Sequence, residues 1–279
     1  MMPFNPAPPP PVLTVFVEGV GLLGPGLAGW ALGRQYLTGE LPYLSASSVL
    51  PLPMALPAAE RRRAGAVVKV SLAVGQEAVE ASGCLASALP SVFTSSSGDA
   101  INCHEICSAL ASSDRLISPT RFHNSVHNAS SGYWSISTGA MTTSSVLCAH
   151  DASFSAGLLE AMTQVAVEQV PVLLVAYDTN YPEPLFSKRP IPDTFGVAVV
   201  LSPKQGRRSQ ALWSLDPLTC FTTSAADRMD NAPLERLRSS IPAARCLPLI
   251  QRVGSQRTGR VVLDYLKKLQ LAVQVSPCD

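Results

Sequence analysis

Short apolar runs alternate with helix-length amphipathic segments from residue 13 to residue 201. The apolar runs cover residues 13–17, 90–95, 171–177 and 195–201, and continuous runs of this kind are typical of strands buried inside a sheet. Strands that alternate with helices indicate a layered α/β protein. The pattern therefore predicts an α/β domain with a largely parallel sheet.

Two helices are predicted between the first strands. Residues 58–81 place valine and alanine side chains on one face and charged side chains on the others, and Gly83 can close that helix. Residues 100–111 form the second helix, and Asp99 is placed to cap its first turn. Repeated prolines keep residues 42–57 irregular.

The pattern is weaker beyond residue 201. Residues 211–215 are predicted as a strand and residues 232–239 as a short helix. Residues 260–265 and 270–275 favour a terminal pair of strands, although one helix over residues 258–273 fits the same pattern.

The stretch from residue 118 to residue 161 holds most of the candidate chemistry, because all four histidines of the chain fall in or beside it. A strand at residues 145–149 leads into the turn His150-Asp151 and then into a helix over residues 153–169. Several acyl-transfer folds hold their nucleophile on such an elbow, since the turn lifts one side chain clear of the sheet and the helix N-terminus points at it.

Composition narrows the class of protein. Apolar residues make up 47% of the chain and charged residues 15%, so we expect part of an apolar surface to meet a partner. The formal net charge is +1, which indicates neither a nucleic acid nor an anionic membrane as the partner. The start of the chain lacks a secretory signal, and no run reaches the ~18 apolar residues of a membrane span. The seven cysteines are therefore expected to be reduced thiols in the cytoplasm.

Three short motifs do not support a cofactor or a metal. Residues 19–24 fit GxGxxG, but the second strand of a dinucleotide-binding unit is missing, and we predict a glycine turn that leaves the first strand. Cys103 and Cys107 lack the second pair of ligands that a structural zinc site needs, so we expect them on the buried side of their helix. His123 and His127 are spaced as HxxxH, but their polar neighbours predict a loop.

The elbow resembles the nucleophile region of β-ketoacyl synthases of the thiolase fold. When the helix is aligned through Ser153, Phe154, Ser155 and Ala161, the nucleophile position falls on Asp151. The cysteine that ordinary condensing enzymes carry there is absent, and Cys148 lies three residues earlier, inside the predicted strand.

Two longer runs resemble one branch of that family. PTRFHNSVHNASSGYWSI at residues 119–136 and YPEPLFSKRPIPDTFGVAVVL at residues 181–201 are similar to the short ketosynthase-like proteins of aryl polyene and xanthomonadin-type pigment pathways. The resemblance implies one βαβαβ half of a thiolase fold, with a mixed, mostly parallel five-stranded sheet over residues 13–202. A disordered Pro-rich tail at residues 1–12 and a C-terminal extension at residues 203–279, packed on the same domain, complete the expected organisation.

The resemblance also implies a function. We expect a non-catalytic, chain-length-factor-like subunit that forms a heterodimer with an active β-ketoacyl synthase and shapes its acyl or polyene tunnel. The pathway would be fatty-acid-like or polyketide pigment biosynthesis, and an acyl carrier protein would meet the complex. Whether the chain is an enzyme stays open, but the missing nucleophile and the missing histidine-bearing half favour catalysis in the partner.

Two other functions stay open. An acyl hydrolase or acyltransferase could use His150 with Asp151, or Ser125 with His127, although a GxSxG elbow is absent. A stand-alone acyl-binding module is the third possibility. Asp151 itself either gates a tunnel or caps the helix that follows it.

No catalytic residue is predicted, and the candidate residues are those of an interface and tunnel. They combine aromatic surfaces with amide and imidazole groups, a mixture typical of interface centres. They are Phe122, His123, Asn124, His127, Asn128, Tyr133, Trp134, Cys148, His150 and Asp151. The family resemblance places residues 144–149 at the dimer contact. The alternative for Tyr133 and Trp134 is that they pack the subunit's own core.

Overall fold

A computed structural model describes residues 11–278 of the chain. The predicted Pro-rich tail lies outside the described residues, except for residues 11 and 12. One mixed sheet of ten strands forms the centre of the described part. The strands are β1 (Leu13–Gly24), β2 (Leu27–Ala28), β3 (Ser91–Thr94), β4 (Ser144–Leu147), β5 (Val172–Asp178), β6 (Phe195–Ser202), β7 (Ala211–Leu215), β8 (Phe221–Thr222), β9 (Gly259–Leu263) and β10 (Gln270–Pro277).

Helices cover both faces of the sheet. They are α1 (Trp30–Thr38), α2 (Ala58–Arg63), α3 (Ala66–Ser82), α4 (Ala100–Ala111), α5 (Pro119–His123), α6 (Ala129–Thr138), α7 (Ser153–Glu168), α8 (Leu185–Lys188), α9 (Ala232–Ser240) and α10 (Leu247–Ser255). No helix of the described residues is long and apolar enough to cross a bilayer.

Five strands form the predicted half of a thiolase-like fold. β3 pairs in parallel with β4 and with β5, whereas β6 is antiparallel to both β5 and β1. Consequently β1, β3, β4 and β5 run in one direction and β6 opposes them. Their spatial order is β4-β3-β5-β6-β1. The prediction of a mixed, mostly parallel five-stranded sheet over residues 13–202 is confirmed.

The sheet as a whole is larger than predicted, because the C-terminal residues continue it. β7 lies antiparallel against β1, with Trp213 opposite Val15, and β10 lies antiparallel against β7. β8 and β9 also pair with β10. The terminal strand pair is confirmed and the alternative helix over residues 258–273 is wrong. Alternate residues of the two strands lie in the larger core cluster, as the strand period of two requires, and they are Val261, Leu263, Leu271, Val273 and Val275.

The predicted helix over residues 58–81 is interrupted. α2 ends at Arg63 and α3 begins at Ala66, and Ala64 and Gly65 between them are extended. Extended backbone cannot carry the hydrogen bonds of a continuous helix, so two helices replace one. Gly83 closes α3 in the left-handed conformation, with φ 72°, as predicted.

α4 begins where it was predicted but lies at the surface. Asp99 accepts a hydrogen bond from the backbone N–H of Asn102 at 2.9 Å, which is the predicted cap. Only Ala100 and Asn102 of this helix are buried. Cys103 and Cys107 are exposed, so the prediction that they face the core is wrong. The reason is that α4 packs mainly on the short helix α5 and not on the sheet.

The glycines of residues 19–24 lie inside β1 and do not form the predicted turn. A Cβ atom on Gly19 would stand 2.1 Å from the carbonyl oxygen of Ala78, and one on Gly21 would stand 2.0 Å from that of Val74. Both carbonyls belong to α3. The glycines therefore allow the helix backbone to rest directly on the strand.

The core has one cluster on each face of the sheet. α7 and α10 pack with β1, β5 and β6 in the larger cluster, and α3 and α6 form the other with the opposite side chains of β5 and β6. α7, and with it the elbow before α7, therefore lies on the same face of the sheet as α10 and contacts the 3₁₀ turn Pro242–Cys246.

Candidate functional site

The elbow forms as predicted between β4 and α7. A 3₁₀ turn, His150–Ala152, joins the two elements, and His150 takes the left-handed conformation with φ 51°. Cys148 lies just beyond the end of β4, not inside it, and its thiol donates to the carbonyl oxygen of Ser96 at 3.1 Å. The side chain of His150 is exposed.

Two arginines hold the carboxylate of Asp151 from opposite sides. Nη2 of Arg189 lies 2.6 Å from Oδ1, and Nη2 of Arg245 lies 3.0 Å from Oδ2. Nδ1 of His150 is a more distant neighbour at 3.4 Å. Partial burial alone would raise the pKa of the Asp151 carboxyl, but the hydrogen bond from Arg189 and the charge of Arg245 outweigh it and lower the pKa. Asp151 is therefore an ion-paired carboxylate.

The alternative role of Asp151 as a helix cap is wrong. α7 begins after Ala152, and no side chain caps its first turn. The Asp151 carboxylate instead faces Arg189, which follows α8, and Arg245, which lies in the 3₁₀ turn Pro242–Cys246. The carboxylate therefore accepts hydrogen bonds from two guanidinium groups that belong to distant parts of the chain.

The ion pairs continue into the C-terminal part as a ladder. Arg245 reaches Asp264 at 3.5 Å, and Asp264 accepts from Arg238 at 2.9 Å. Arg238 then makes two hydrogen bonds with Glu235, of 2.7 and 2.8 Å, which lower the pKa of the Glu235 carboxyl. The acid–arginine ladder, as we name it, consists of Arg189, Asp151, Arg245, Asp264, Arg238 and Glu235. Its three guanidinium groups and three carboxylates balance in charge, and it joins the elbow to α9 and β9.

Open clefts lie on both sides of the elbow. The larger has a volume of about 500 Å³ and extends from His150 and Asp151 to Asp264, Leu266 and Lys267. A second cleft, of about 290 Å³, lies between Asp151, Arg189 and the start of the 3₁₀ turn Pro242–Cys246. Asp151 and Arg245 line both clefts, so their ion pair is the wall between them.

A second carboxylate, Asp178 at the end of β5, is buried behind the elbow. It accepts hydrogen bonds from the backbone N–H and hydroxyl of Ser96, at 2.9 and 2.6 Å, and from the N–H of Ala243 at 2.8 Å. Burial raises the pKa of this carboxyl above its ordinary value. Asp178 thus ties the loop after β3 to the C-terminal 3₁₀ turn.

The predicted interface segment divides into an exposed part and a core part. Phe122 is 69% exposed, and His123 and Asn128 are also exposed. Tyr133 and Trp134 are buried at 2% and 1%, so their assignment to an interface is corrected to the core alternative. The ring of Trp134 packs beside Phe93, with centroids 6.4 Å apart, and over Gly75 of α3.

Asn124 and His127 have positions that the sequence does not predict. Asn124 accepts from the hydroxyl of Tyr133 at 3.1 Å and donates to the carbonyl of Arg63 at 3.0 Å, so it links α5, α6 and α2. His127 is half-buried, and its Nε2 atom is buried without a hydrogen-bond partner among the described residues. The segment predicted as a loop contains the helices α5 and α6.

The strand before the elbow is an edge of the sheet. β4 pairs only with β3 among the described strands. The backbone N–H of Ser91 donates to Thr143 and that of Ser95 to Leu147, so the polar groups of residues 143, 145 and 147 face β3. The N–H and C=O groups of Ser144 and Val146 therefore point away from the sheet, and this outer edge is open to another strand.

Comparison with known families supplies the identification. The family model for the β-ketoacyl synthase N-terminal domain matches residues 39–258. The chain belongs to the β-ketoacyl synthase family. The match extends past residue 202 and includes α9 and α10, in agreement with a sheet that continues into the C-terminal part. Curated protein sequences give no significant match.

Solved structures share the ketosynthase fold over nearly the whole chain. One is the ketosynthase ApeO in complex with its chain length factor ApeC from Xenorhabdus doucetiae, with a TM-score of 0.69 and 22% identity over 94% of this chain and 99% of that one. Another is the ishigamide ketosynthase/chain length factor, with a TM-score of 0.70 and 10% identity over 95% and 100%. A third is the AntDE:AntF complex of a type II polyketide acyl-carrier protein with its ketosynthase, with a TM-score of 0.72 and 12% identity over 95% and 99%.

Within this ketosynthase fold, the side chains considered as nucleophiles from the sequence make contacts with other groups. Asp151, which the sequence resemblance predicts at the nucleophile position, is engaged by two arginines. The alternative Ser125–His127 pair does not form either, because the hydroxyl of Ser125 donates to the carbonyl of Phe122 at 2.8 Å. Residues 11–278 bring together no group of three or more potential metal ligands.

Proposed function

We propose that this chain is a non-catalytic, chain-length-factor-like subunit that pairs with a catalytic β-ketoacyl synthase and shapes the tunnel in which the acyl or polyene chain grows. The observation that carries the proposal is the ion pairing of Asp151 with two arginines, at the residue that the family resemblance predicts for the nucleophile. Decarboxylative condensation needs a thiolate that accepts the acyl chain. A carboxylate neutralised by two guanidinium groups cannot supply that step, so the nucleophile comes from a partner.

The similar structures support pairing as the role. Two of them are described as ketosynthases with a chain length factor, and a third contains an acyl-carrier protein. By analogy we assign this chain to a heterodimer that meets an acyl carrier protein, in polyketide or fatty-acid-like pigment biosynthesis of the aryl polyene type. We predict that this heterodimer is located in the cytoplasm.

The open edge of β4 and the exposed segment before α6 supply a surface for the partner. β4 offers outward-facing backbone groups at Ser144 and Val146, ready to continue the sheet into a second subunit. Phe122 and Val126, which are 69% and 53% exposed, give apolar area of the kind that anchors interfaces. We propose that these two features, together with His123 and the other exposed candidates, form the heterodimer contact.

Blocking the strand edge tests the pairing. Val146→Pro removes one outward N–H group and leaves the hydrogen bonds to β3 in place, whereas Val146→Thr keeps the N–H group and the branched shape. Each variant is co-expressed with the ketosynthase encoded beside it, and the complex is measured by size-exclusion chromatography with light scattering. We expect a stable heterodimer for the unaltered chain and for Val146→Thr, and a reduced yield of complex for Val146→Pro. Equal complex formation by all three proteins would exclude β4 as the contact.

A further inference from the structure

Arg189 and Arg245 hold one carboxylate between them at the elbow. Each contributes a single Nη2 hydrogen bond, at 2.6 and 3.0 Å, and the two bonds go to different oxygen atoms of Asp151. Both arginine side chains are 23% exposed, which makes the interaction stronger than that of a fully solvated pair. Two convergent guanidinium groups are an arrangement that proteins use to bind carboxylate ligands.

The two arginines keep their positions through contacts that do not involve Asp151. Nη1 of Arg189 donates to the hydroxyl of Tyr181 at 2.8 Å, and its Cζ lies 5.7 Å from the centre of the Tyr181 ring. Arg245 also forms an ion pair with Asp264, and Asp264 forms a second ion pair with Arg238. The pair of guanidinium groups is therefore organised by the surrounding structure and not only by the carboxylate it holds.

Asp151 leaves part of this binding capacity unused. The Nε atom of Arg245 is buried and has no hydrogen-bond partner among the described residues. A carboxylate that is free of the main chain can approach a guanidinium side-on and bond to Nε and Nη2 together. Asp151 contacts Arg245 through the Nη2 atom alone. The clefts of about 500 and 290 Å³ on either side of the ion pair give a small organic acid room to approach the two arginines, and removal of the Asp151 side chain opens the space next to them.

We propose that Arg189 and Arg245 form a carboxylate-binding site and that Asp151 occupies it as a built-in ligand. In the acid–arginine ladder three guanidinium groups face three carboxylates. Removal of Asp151 leaves three positive groups with two carboxylates, so one partly buried positive charge is uncompensated. A small carboxylic acid in its ionised form, such as acetate, restores the balance. This inference concerns the free chain and does not depend on the proposed pairing with a ketosynthase.

Rescue of an Asp151→Ala variant by acetate tests the proposal. The melting temperature of the purified variant is measured at pH 7 in sodium acetate and in sodium chloride of equal concentration. With a Kd of about 10 mM, 100 mM acetate raises the ratio of folded to unfolded protein roughly tenfold. For a chain of this size, that corresponds to an increase in Tm of about 2 to 3 °C over chloride. The unaltered protein is expected to melt at the same temperature in both salts.

The double variant Asp151→Ala with Arg245→Gln provides the specific control. It keeps the vacated space but loses one arm of the site, so we expect acetate to give it no advantage over chloride. Line broadening of ¹³C-acetate in NMR spectra reports binding directly and should be seen for Asp151→Ala alone. If Asp151→Ala fails to fold, Asp151→Ser, which retains one acceptor, is compared in the same two salts. Equal Tm values in acetate and chloride for the single variant, or equal acetate effects in the single and double variants, would overturn the proposal.

Discussion

Substitution of Trp134 distinguishes packing in the subunit's own core from contact with a partner subunit. Trp134 is 1% exposed and its ring fills the space between Phe93 and Gly75. Truncation of a buried tryptophan to alanine ordinarily costs about 3–5 kcal/mol of unfolding free energy through lost contacts and a cavity. Its Nε1 atom is buried without a hydrogen-bond partner among the described residues, so removing it recovers roughly 1 kcal/mol. We therefore expect Trp134→Ala to lose about 3 kcal/mol.

Phe122→Ala is the matched control for that experiment. Phe122 is 69% exposed in the free chain, so its removal should change the unfolding free energy by no more than about 0.5 kcal/mol. If Phe122 lies at the heterodimer contact, the same change should weaken the complex by about 2 kcal/mol or more, as aromatic hot spots do.

Urea denaturation of the free variants and titration of the partner give the two free energies. Trp134→Ala should show a large loss of stability and nearly unchanged affinity among folded molecules, and Phe122→Ala should show the reverse. A loss below 1 kcal/mol for Trp134→Ala, combined with a weakened complex, would refute the placement of Trp134 in the core.

Three further changes test other parts of the structure. Asp151→Asn should lose about 1–3 kcal/mol at pH 7. The pKa of Asp151 in the folded protein lies below the unfolded value of about 3.9. The stabilisation by the ionised carboxylate is therefore present above a pH of about 3.9 and is lost as the pH falls through the lower, folded-state pKa. Urea denaturation should accordingly show a smaller difference between the two proteins at about pH 3. Gly21→Ala should prevent α3 from resting on β1 and lower Tm by many degrees, whereas Gly132→Ala, whose added Cβ meets nothing within 4 Å, should be neutral or stabilising. Glu77→Ala leaves the N–H groups of residues 22 and 30 unpaired and should cost about 1–3 kcal/mol in chemical denaturation, with the exposed Glu80→Ala as its control.

The parts of the fold that the sequence predicts are those with strong local signals. The strand, the elbow and α7 follow from an apolar run, a polar dipeptide and helical spacing, all within one continuous stretch. Gly83 and Asp99 are local capping signals, and both act as predicted. The glycines of β1 do not follow from a local signal. They are required because the carbonyl groups of α3, more than fifty residues away, leave no space for a side chain.

The chemistry of the site depends on contacts that local patterns do not encode. Arg189 and Arg245 stand 38 and 94 residues from Asp151 in the chain, and no local pattern links either of them to Asp151. Tyr133 and Trp134 follow amide and imidazole side chains, a mixture that predicted an interface, and they lie beside Ser130 and Ser131. Ser130 and Ser131 are themselves buried, with their hydroxyl groups bonded to backbone carbonyls, so the serines are compatible with the core. Residue types alone do not distinguish these two environments.

A condensation assay tests most directly which subunit supplies the catalytic nucleophile. The purified chain, its ketosynthase partner and the complex are each supplied with acyl and malonyl carrier-protein thioesters, and products are measured by mass spectrometry. We expect no condensation by the chain alone, extended products from the complex, and loss of those products when the partner's catalytic cysteine is replaced. Cys148→Ala in this chain should leave the products unchanged. Condensation by the chain alone, abolished by Cys148→Ala, would contradict the central claim that this subunit is not the catalyst.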